Sequence, residues 1–231
     1  MKKAVVISLG GSLIVPDKID YDFLTGFRKV LIKNKKNYKF IVVTGGGNPS
    51  RVYIDGLKKE KLKEKKKHYF QGLLGVSITR LNARFLSYLF GKDANQGIPH
   101  SMKDVENLLR FNDFVFCGAL RYGRKETSDS TSAKLASYFN TEFINLTNVT
   151  GLYDKDPKRF KNARLINEIS HKEFLKIANK QSYKPGQHFV LDQKAAKIIK
   201  KHKITTYIIG RDMDNLDNLL NNKHFVGTII S

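Results

Sequence analysis

The chain reads as an α/β protein, a three-layer αβα sandwich around a mainly parallel sheet, and three observations predict this. Short β-branched runs alternate with stretches of helical periodicity from end to end, as a parallel sheet covered on both faces requires. Two of those runs stop at clustered glycines: Ala4-Val5-Val6-Ile7 leads to Gly10-Gly11-Ser12, and Phe40-Ile41-Val42-Val43-Thr44 leads to Gly45-Gly46-Gly47. Hydrophobic residues make up 41% of the 231, enough to bury one large core, and no repeat, low-complexity tract or clear linker divides it.

The elements follow in order. After the first strand, residues 21–35 predict a helix with Phe23, Leu24, Phe27, Val30 and Leu31 on one face. Helices are expected over 50–66 and from about 73 to 90, beyond the second glycine turn. Ser101 is placed as the N-cap of a helix over 102–110, with Asp104 and Val105 entering its first turn. Residues 113–118 read as a short strand ending in Gly118, followed by a polar loop over 121–128. Asp129 then leads a helix through Tyr138, and residues 143–147 form a further strand. The stretch over 151–170, with Pro157, reads as a turn-rich subregion bearing a hairpin. A helix over 191–201, a strand over 206–209 and a last edge strand over 228–230 complete the chain.

Composition narrows the function classes. No apolar stretch is long enough to cross a membrane, and the start, Met1-Lys2-Lys3, runs into a strand pattern too short for a signal peptide. One cysteine, Cys117, excludes an internal disulfide and a cysteine-based zinc cluster, so a reducing, cytoplasmic setting is expected. The formal charge of +21 is the one unusual total. It is read as a solvated, lysine-rich surface in preference to a nucleic-acid partner. In the densest basic block, Glu60 and Glu64 stand where a helix would bring them to Lys63 and Lys67, and His68 beside them reads as a surface residue.

The chemistry is expected at the glycine-ended strands. Without Cβ atoms, backbone N–H groups can approach phosphate closely, and a helix start behind them favours anions. Neither turn is a Gly-x-x-x-x-Gly-Lys phosphate loop or a Gly-x-Gly-x-x-Gly fingerprint. Two such turns in series, with the Gly118 loop and the Thr127-Ser128-Asp129 helix start, suggest two phosphate groups and chemistry between them. Ser128 or Asp129 also fits as a simple helix cap, a role compatible with ligand contact. In a parallel sheet these features and Asn148 share the rim beyond the strands' carboxyl ends. The six histidines are scattered without ligand spacing, and no acid–base pair or nucleophile elbow is visible. A phosphate monoester acceptor, with a second pKa near ~6, is already an anionic nucleophile at neutral pH. Phosphoryl transfer to it needs positioning and positive charge rather than a strong base.

These residues resemble the amino acid kinase family in order and spacing. The resemblance is carried by Ile7-Ser8-Leu9-Gly10-Gly11-Ser12-Leu13, Thr44-Gly45-Gly46-Gly47 with Arg51, Thr127-Ser128-Asp129, and Thr147-Asn148-Val149-Thr150-Gly151-Leu152-Tyr153-Asp154-Lys155-Asp156-Pro157. The runs over 75–83 and 191–199 look like the archaeal-type UMP kinase branch. The resemblance spans nearly the whole chain and implies one kinase domain over 1–231, with an acceptor-binding part over about 1–140 and an ATP-binding part over about 141–231. It implies a sheet of about eight strands, transfer of the γ-phosphoryl of Mg-ATP to UMP in pyrimidine nucleotide synthesis, and a homohexamer built from dimers. Carried over residue by residue, Gly11, Ser12 and Gly47 with Arg51 would hold ATP phosphates, and Thr147, Asn148, Tyr153 and Asp156 the adenosine side. Gly46, Gly72, the loop from Ala119 and Leu120 to Thr127, and Ser128 would hold UMP. Asp129 would organise the cations around the transferring group.

The chain departs from the family pattern at several points. Ser8 stands where many members carry lysine, and Lys194, Lys197, Arg124 or Lys125 are candidates to replace that charge. Gly72 stands at the family's ribose-binding aspartate, Thr150 stands where aspartate is usual, and the loop over 121–126 is longer and more basic. Two alternatives stay open on these grounds. One is another phosphate-acceptor kinase of the family, such as isopentenyl phosphate kinase. The other is a non-catalytic nucleotide- or RNA-binding relative.

Overall fold

The N-terminal run folds as β1 (Lys3–Leu9) and sits in the middle of the sheet, paired in parallel with β2 (Tyr38–Thr44) on one side and β4 (Phe143–Leu146) on the other. Beyond β2 lies β3 (Phe114–Cys117); beyond β4 lie β6 (Thr206–Ile209), β7 (Gly227–Ile230) and β5 (Glu168–Ile169). The described residues are 2–61, 63–124, 126–155, 157, 159–180 and 191–231 of a computed structural model. Among them the sheet has seven strands in the order β3-β2-β1-β4-β6-β7-β5, where the resemblance implied about eight. Every pair is parallel except β6 with β7.

Alternation along the strands builds two cores. Val5, Ile7, Leu9, Phe40, Val42, Phe114 and Phe116 face one side, where α2 (Tyr21–Asn34), α4 (Glu64–Phe90) and α9 (Met213–Leu220) cover them. Val6, Ile41, Val43, Val115 and Cys117 face the other, against α5 (Met102–Phe111), α6 (Ser128–Tyr138), α7 (His171–Lys180) and α8 (Gln193–His202). With both faces covered, the strands need no polar side, which is why they read as unbroken apolar runs. The predicted three-layer sandwich is the observed one. Burial pushes the Cys117 thiol up to about 12, so this cysteine is a small core residue.

Most predicted elements stand within a few residues. Ser101 caps α5 through a capping box with Asp104. Three expectations change. The helix expected over 50–66 is α3 (Gly47–Lys58), which stops at the lysine-rich stretch; α4 then starts at Glu64 and runs unbroken for 27 residues. The last strand is interior, because β7 pairs with β6 through Ile209↔Gly227 and with β5 through Ile230↔Ile169; being last in sequence did not make it an edge. The hairpin expected within 151–170 is present, as the antiparallel Tyr153↔Leu165 bridge, and β5 follows it. Helices α7 and α9, at 10 and 8 residues, were not anticipated. No helix among the described residues is long and apolar enough to cross a membrane.

Candidate active site

Strand order reverses between β1 and β4, since β2 and β3 extend one way and β6 the other. Such a switch point opens a crevice beyond the carboxyl ends of the strands. Both glycine turns stand there. The Gly10 N–H donates to Leu146 O at 3.0 Å, and the Gly45 N–H to Leu9 O at 2.9 Å. The turns interlock, backbone against backbone: a Cβ on Gly11 would lie 2.6 Å from Gly45 C and 2.7 Å from Gly46 C. Gly47 has φ +66°, a region where a side chain is strained, and its Cβ would lie 2.9 Å from both Gly11 C and Val15 O. Packing alone therefore demands glycine at 11 and 47. Neither the start of α3 nor the four-residue α1 (Gly11–Ile14), which carries Ser12, has a side-chain cap; the Asn48 N–H donates to Val15 O at 3.2 Å.

Two helix starts face this crevice side by side. Thr127 is the N-cap of α6, its hydroxyl oxygen accepting from the N–H of Asp129 at 3.1 Å and of Ser130 at 3.4 Å. The cap is thus one residue before the Ser128 or Asp129 expected, which leaves both inside the first turn. Asp192 caps α8, accepting from the N–H of Lys194 at 2.6 Å and of Ala195 at 2.9 Å. The Thr127 hydroxyl donates to the second carboxylate oxygen of Asp192, so the two caps clasp each other. Two helix N-termini so joined concentrate partial positive charge on one spot.

Acidic and basic groups are sorted around that clasp. Ser8, at the end of β1, donates to Asp129 Oδ1 at 2.9 Å. Burial, with the negative charge of Asp192 adding to it, pushes the Asp129 carboxyl up to about 7; the Ser8 hydrogen bond opposes the rise. Glu126 accepts from Lys134 at 2.6 Å and Lys194 at 2.7 Å. Burial raises the Glu126 carboxyl, but the two lysines outweigh it and hold it below the ordinary carboxylate range. Lys194 therefore stands at the start of α8 tethered by its ammonium, while Lys197 is exposed one turn on. Asp129 and Lys194 come together at the helix starts; Lys197 lies farther along the solvent side of α8.

On the β2–β3 side the wall is the inner face of α4. Asn82 donates to Gly45 O at 2.8 Å, and Thr79 O accepts from the Thr44 hydroxyl at 2.7 Å. The Thr79 hydroxyl accepts from the Ala119 N–H at 3.0 Å, and Arg80 donates to Ala119 O at 3.1 Å and Leu120 O at 2.6 Å. The turn after β3 is thereby fixed to α4, with Ala119 half-buried and Leu120 buried. Gly46 lies against Ser50, and Gly72 lies on the same side of α4, under the ring of Tyr122. Arg51 is exposed on α3.

Beyond β4, the Thr147 N–H donates to Ile209 O at 3.0 Å, and the turn over 147–151 packs against Gly210. Tyr153 is held by its bridge to Leu165, and the Leu152 N–H donates to the Thr228 hydroxyl at 2.8 Å. Asn148 is exposed at the rim. This second lobe of the crevice is joined to the glycine turns through Gly10 and Leu146. Asp156 and Lys125 lie outside the described residues.

Sequence reasoning missed Asp192, Glu126 and Asn82. Asp192 had a local signal, an aspartate two residues before Lys194-Ala195-Ala196, which is an N-cap pattern. Glu126 and Asn82 act through contacts distant in sequence and had none. No group of three histidine, cysteine or acidic side chains able to hold a metal occurs among the described residues. Carboxylates such as Asp129 do match a hard cation, and Mg²⁺ is commonly held by one or two carboxylates with the substrate's phosphates supplying the rest.

Two interlocked glycine turns at a fixed separation, beside paired helix starts and a tethered lysine, have the chemistry to receive a phosphate donor and a phosphate acceptor. The scaffold is that of a phosphotransferase. The sequence profile of the amino acid kinase family matches residues 3–210. A uridylate kinase of Thermoplasma volcanium is 36% identical over 232 aligned residues, spanning 100% of this chain and 98% of the relative. One of Thermococcus kodakarensis is 33% identical, with 98% of each chain covered. The crystal structure of uridylate kinase from Archaeoglobus fulgidus superposes with a TM-score of 0.85 at 31% identity and 100% coverage of both chains. The chain belongs to the amino acid kinase family.

Proposed function

We propose that the protein transfers the γ-phosphoryl group of ATP to UMP, forming UDP for pyrimidine nucleotide synthesis. One observation carries the reading: the interlocked Gly11 and Gly47 turns at the switch point, facing the clasped starts of α6 and α8. The uridylate kinases of Thermoplasma and Thermococcus, alike over the full chain, supply the acceptor.

In this reading Gly11, Ser12 and Gly47, with Arg51, hold the ATP phosphates, and Thr147, Asn148, Tyr153 and Asp156 hold the adenosine. Gly46, Ala119, Leu120, Thr127 and Ser128 receive UMP, Gly72 lining that side under Tyr122. The domain thus divides into an acceptor part over about 1–140 and an ATP part over about 141–231. The acceptor's phosphate oxygen attacks the γ-phosphorus in line, and the bond to the β–γ bridging oxygen breaks, releasing ADP. The amides of the turns and helix starts meet the developing charge without reorganising. Lys194, and Lys197 more remotely, supply the positive charge that Ser8 does not. Asp129 is the group that would hold Mg²⁺, which supplies charge neutralisation across the phosphates. Copies of the chain assemble in the cytoplasm as a hexamer built from dimers; Val52, Leu81 and Tyr88, each about three-fifths exposed on α3 and α4, supply apolar surface for such contacts.

ADP release with Mg-ATP is the test, run against UMP, CMP, dUMP, AMP and isopentenyl phosphate. Turnover on UMP above the others is expected. Preference for another acceptor would reassign the substrate, and no turnover on any would remove the kinase activity itself.

A further inference from the structure

The loop after β3 reaches back over α4 and lays one aromatic ring on a bare stretch of helix. A Cβ built on Gly72 would lie 2.7 Å from Tyr122 Cδ2 and 3.3 Å from its Cζ, so the ring occupies the space a side chain at 72 would need. Tyr69, one turn before Gly72, meets the same ring edge-on, with centroids 5.0 Å apart and planes at 89°. The loop is anchored on both sides of the tyrosine. Arg80 holds the Ala119 and Leu120 carbonyls before it, and Glu126, held by Lys134 and Lys194, follows it.

Tyr122 is half-buried, and its hydroxyl makes no hydrogen bond to the described residues. No buried side-chain oxygen among the described residues lacks a partner, so this hydroxyl is open to solvent, where a ligand can reach it. The ring lies on the face of α4 that lines the crevice. Gly75, one turn on, faces Ser50 of α3, and Thr79, a further turn on, holds the Ala119 N–H. From Thr79 to Gly72 the helix climbs about 10 Å. That rise carries Tyr122 well above the glycine turns, out along the acceptor side.

We propose that Tyr122 is an acceptor-specificity residue. Its ring, seated on Gly72 and braced by Tyr69, presents the hydroxyl to polar groups at the end of the acceptor remote from its phosphate. This rests on the reading of the site as a UMP kinase. Glycine at 72 is then a seat for the tyrosine, and any side chain there unseats it.

The test is steady-state kinetics of the full chain and of the Tyr122→Phe, Tyr122→Ala, Gly72→Ala and Gly72→Ala/Tyr122→Ala proteins, with KM measured separately for UMP and for Mg-ATP. Loss of one hydrogen bond in Tyr122→Phe is expected to raise KM for UMP by about fivefold. Tyr122→Ala and Gly72→Ala should each raise it by at least about tenfold. KM for Mg-ATP should stay within about twofold of wild type. The double variant should be no worse than Tyr122→Ala alone, because alanine at 72 has then nothing to displace. Equal KM for UMP in wild type and all four variants would overturn the proposal, as would additive effects of Gly72→Ala and Tyr122→Ala. If the wild-type protein uses a different phosphate acceptor, the UMP assignment falls, and the same four comparisons with that acceptor decide the role of Tyr122.

Discussion

The Ser8 hydroxyl, at the end of the central strand, donates to Asp129 Oδ1 at 2.9 Å, in the first turn of α6. It opposes the two influences that keep this carboxyl from ionising, burial and the neighbouring Asp192. The contact joins the middle of the sheet to the start of the helix that faces the crevice.

Stability should register that carboxyl. Asp129 titrates near about 7 in the fold, against about 3.9 in an unfolded chain, so the folded state binds the extra proton between those values. The contribution is therefore fully present below about pH 4 and is lost as pH rises through about 7. Asp129→Asn removes the cost of the buried charge. Without nucleotide, the variant's advantage over wild type should grow from near zero below about pH 4 toward an upper bound of roughly 4 kcal/mol at pH 8. Thermal melts of both proteins across that range decide it; a constant difference would show that Asp129 ionises normally. Kinase turnover of the variant should collapse at every pH.

Thr127 caps α6 and clasps Asp192 through the same hydroxyl. Thr127→Val keeps the shape but removes both roles. A cap contributes about 1 kcal/mol, and a charged acceptor left without its donor costs about 1.5–3 kcal/mol, so denaturant melts should lose roughly 2–4 kcal/mol. Thr127→Ser should recover most of it. A valine protein as stable as wild type would show the clasp to be dispensable.

Gly47→Ala tests the interlock. The positive φ costs an alanine about 1–2 kcal/mol, and its Cβ would press on Gly11 and Val15. Loss of at least about 2 kcal/mol is expected, with ATP affinity, measured by calorimetry, down more than about tenfold. Lower stability with unchanged ATP affinity would leave the turn a packing device only.

Positive charge for the transfer should depend on Lys194, which Glu126 tethers at the start of α8. Lys194→Met is expected to lower kcat by about 10²-fold, and Lys197→Met, Arg124→Met and Lys125→Met by less. Glu126→Gln, which weakens the tether but keeps the lysine, should fall between Lys194→Met and wild type. Four near-wild-type rates for the lysine and arginine variants would place the compensating charge elsewhere. Because Glu126 is held below the ordinary carboxylate range, the tether's contribution to stability is present above about pH 4.5 and is lost as pH falls through its depressed value.

The strands were legible because both faces of the sheet are buried. Runs such as Phe40-Ile41-Val42-Val43 carry no polar interruption, and glycines mark where they end. The glycine turns and the α6 start were legible from local sequence, and the 147–153 turn through its resemblance to a family motif. What could not be read depends on residues far apart in sequence. Glu126 meets Lys194 68 positions away, and nothing in either neighbourhood announces the pair. Gly72 shows as a gap in a helix until the Tyr122 ring fills it. The interior position of β7 likewise follows from pairing with β5 and β6, not from its own four residues.

The contact of Gly11 with the 45–47 turn means that the separation between the two strand-end turns is a main-chain quantity. No rotamer adjusts it, and no surface substitution tunes it. Change along this lineage is therefore channelled outward, into the segments over 119–126 and 147–165, which can be rebuilt while the gap across which a phosphoryl group would travel keeps its span.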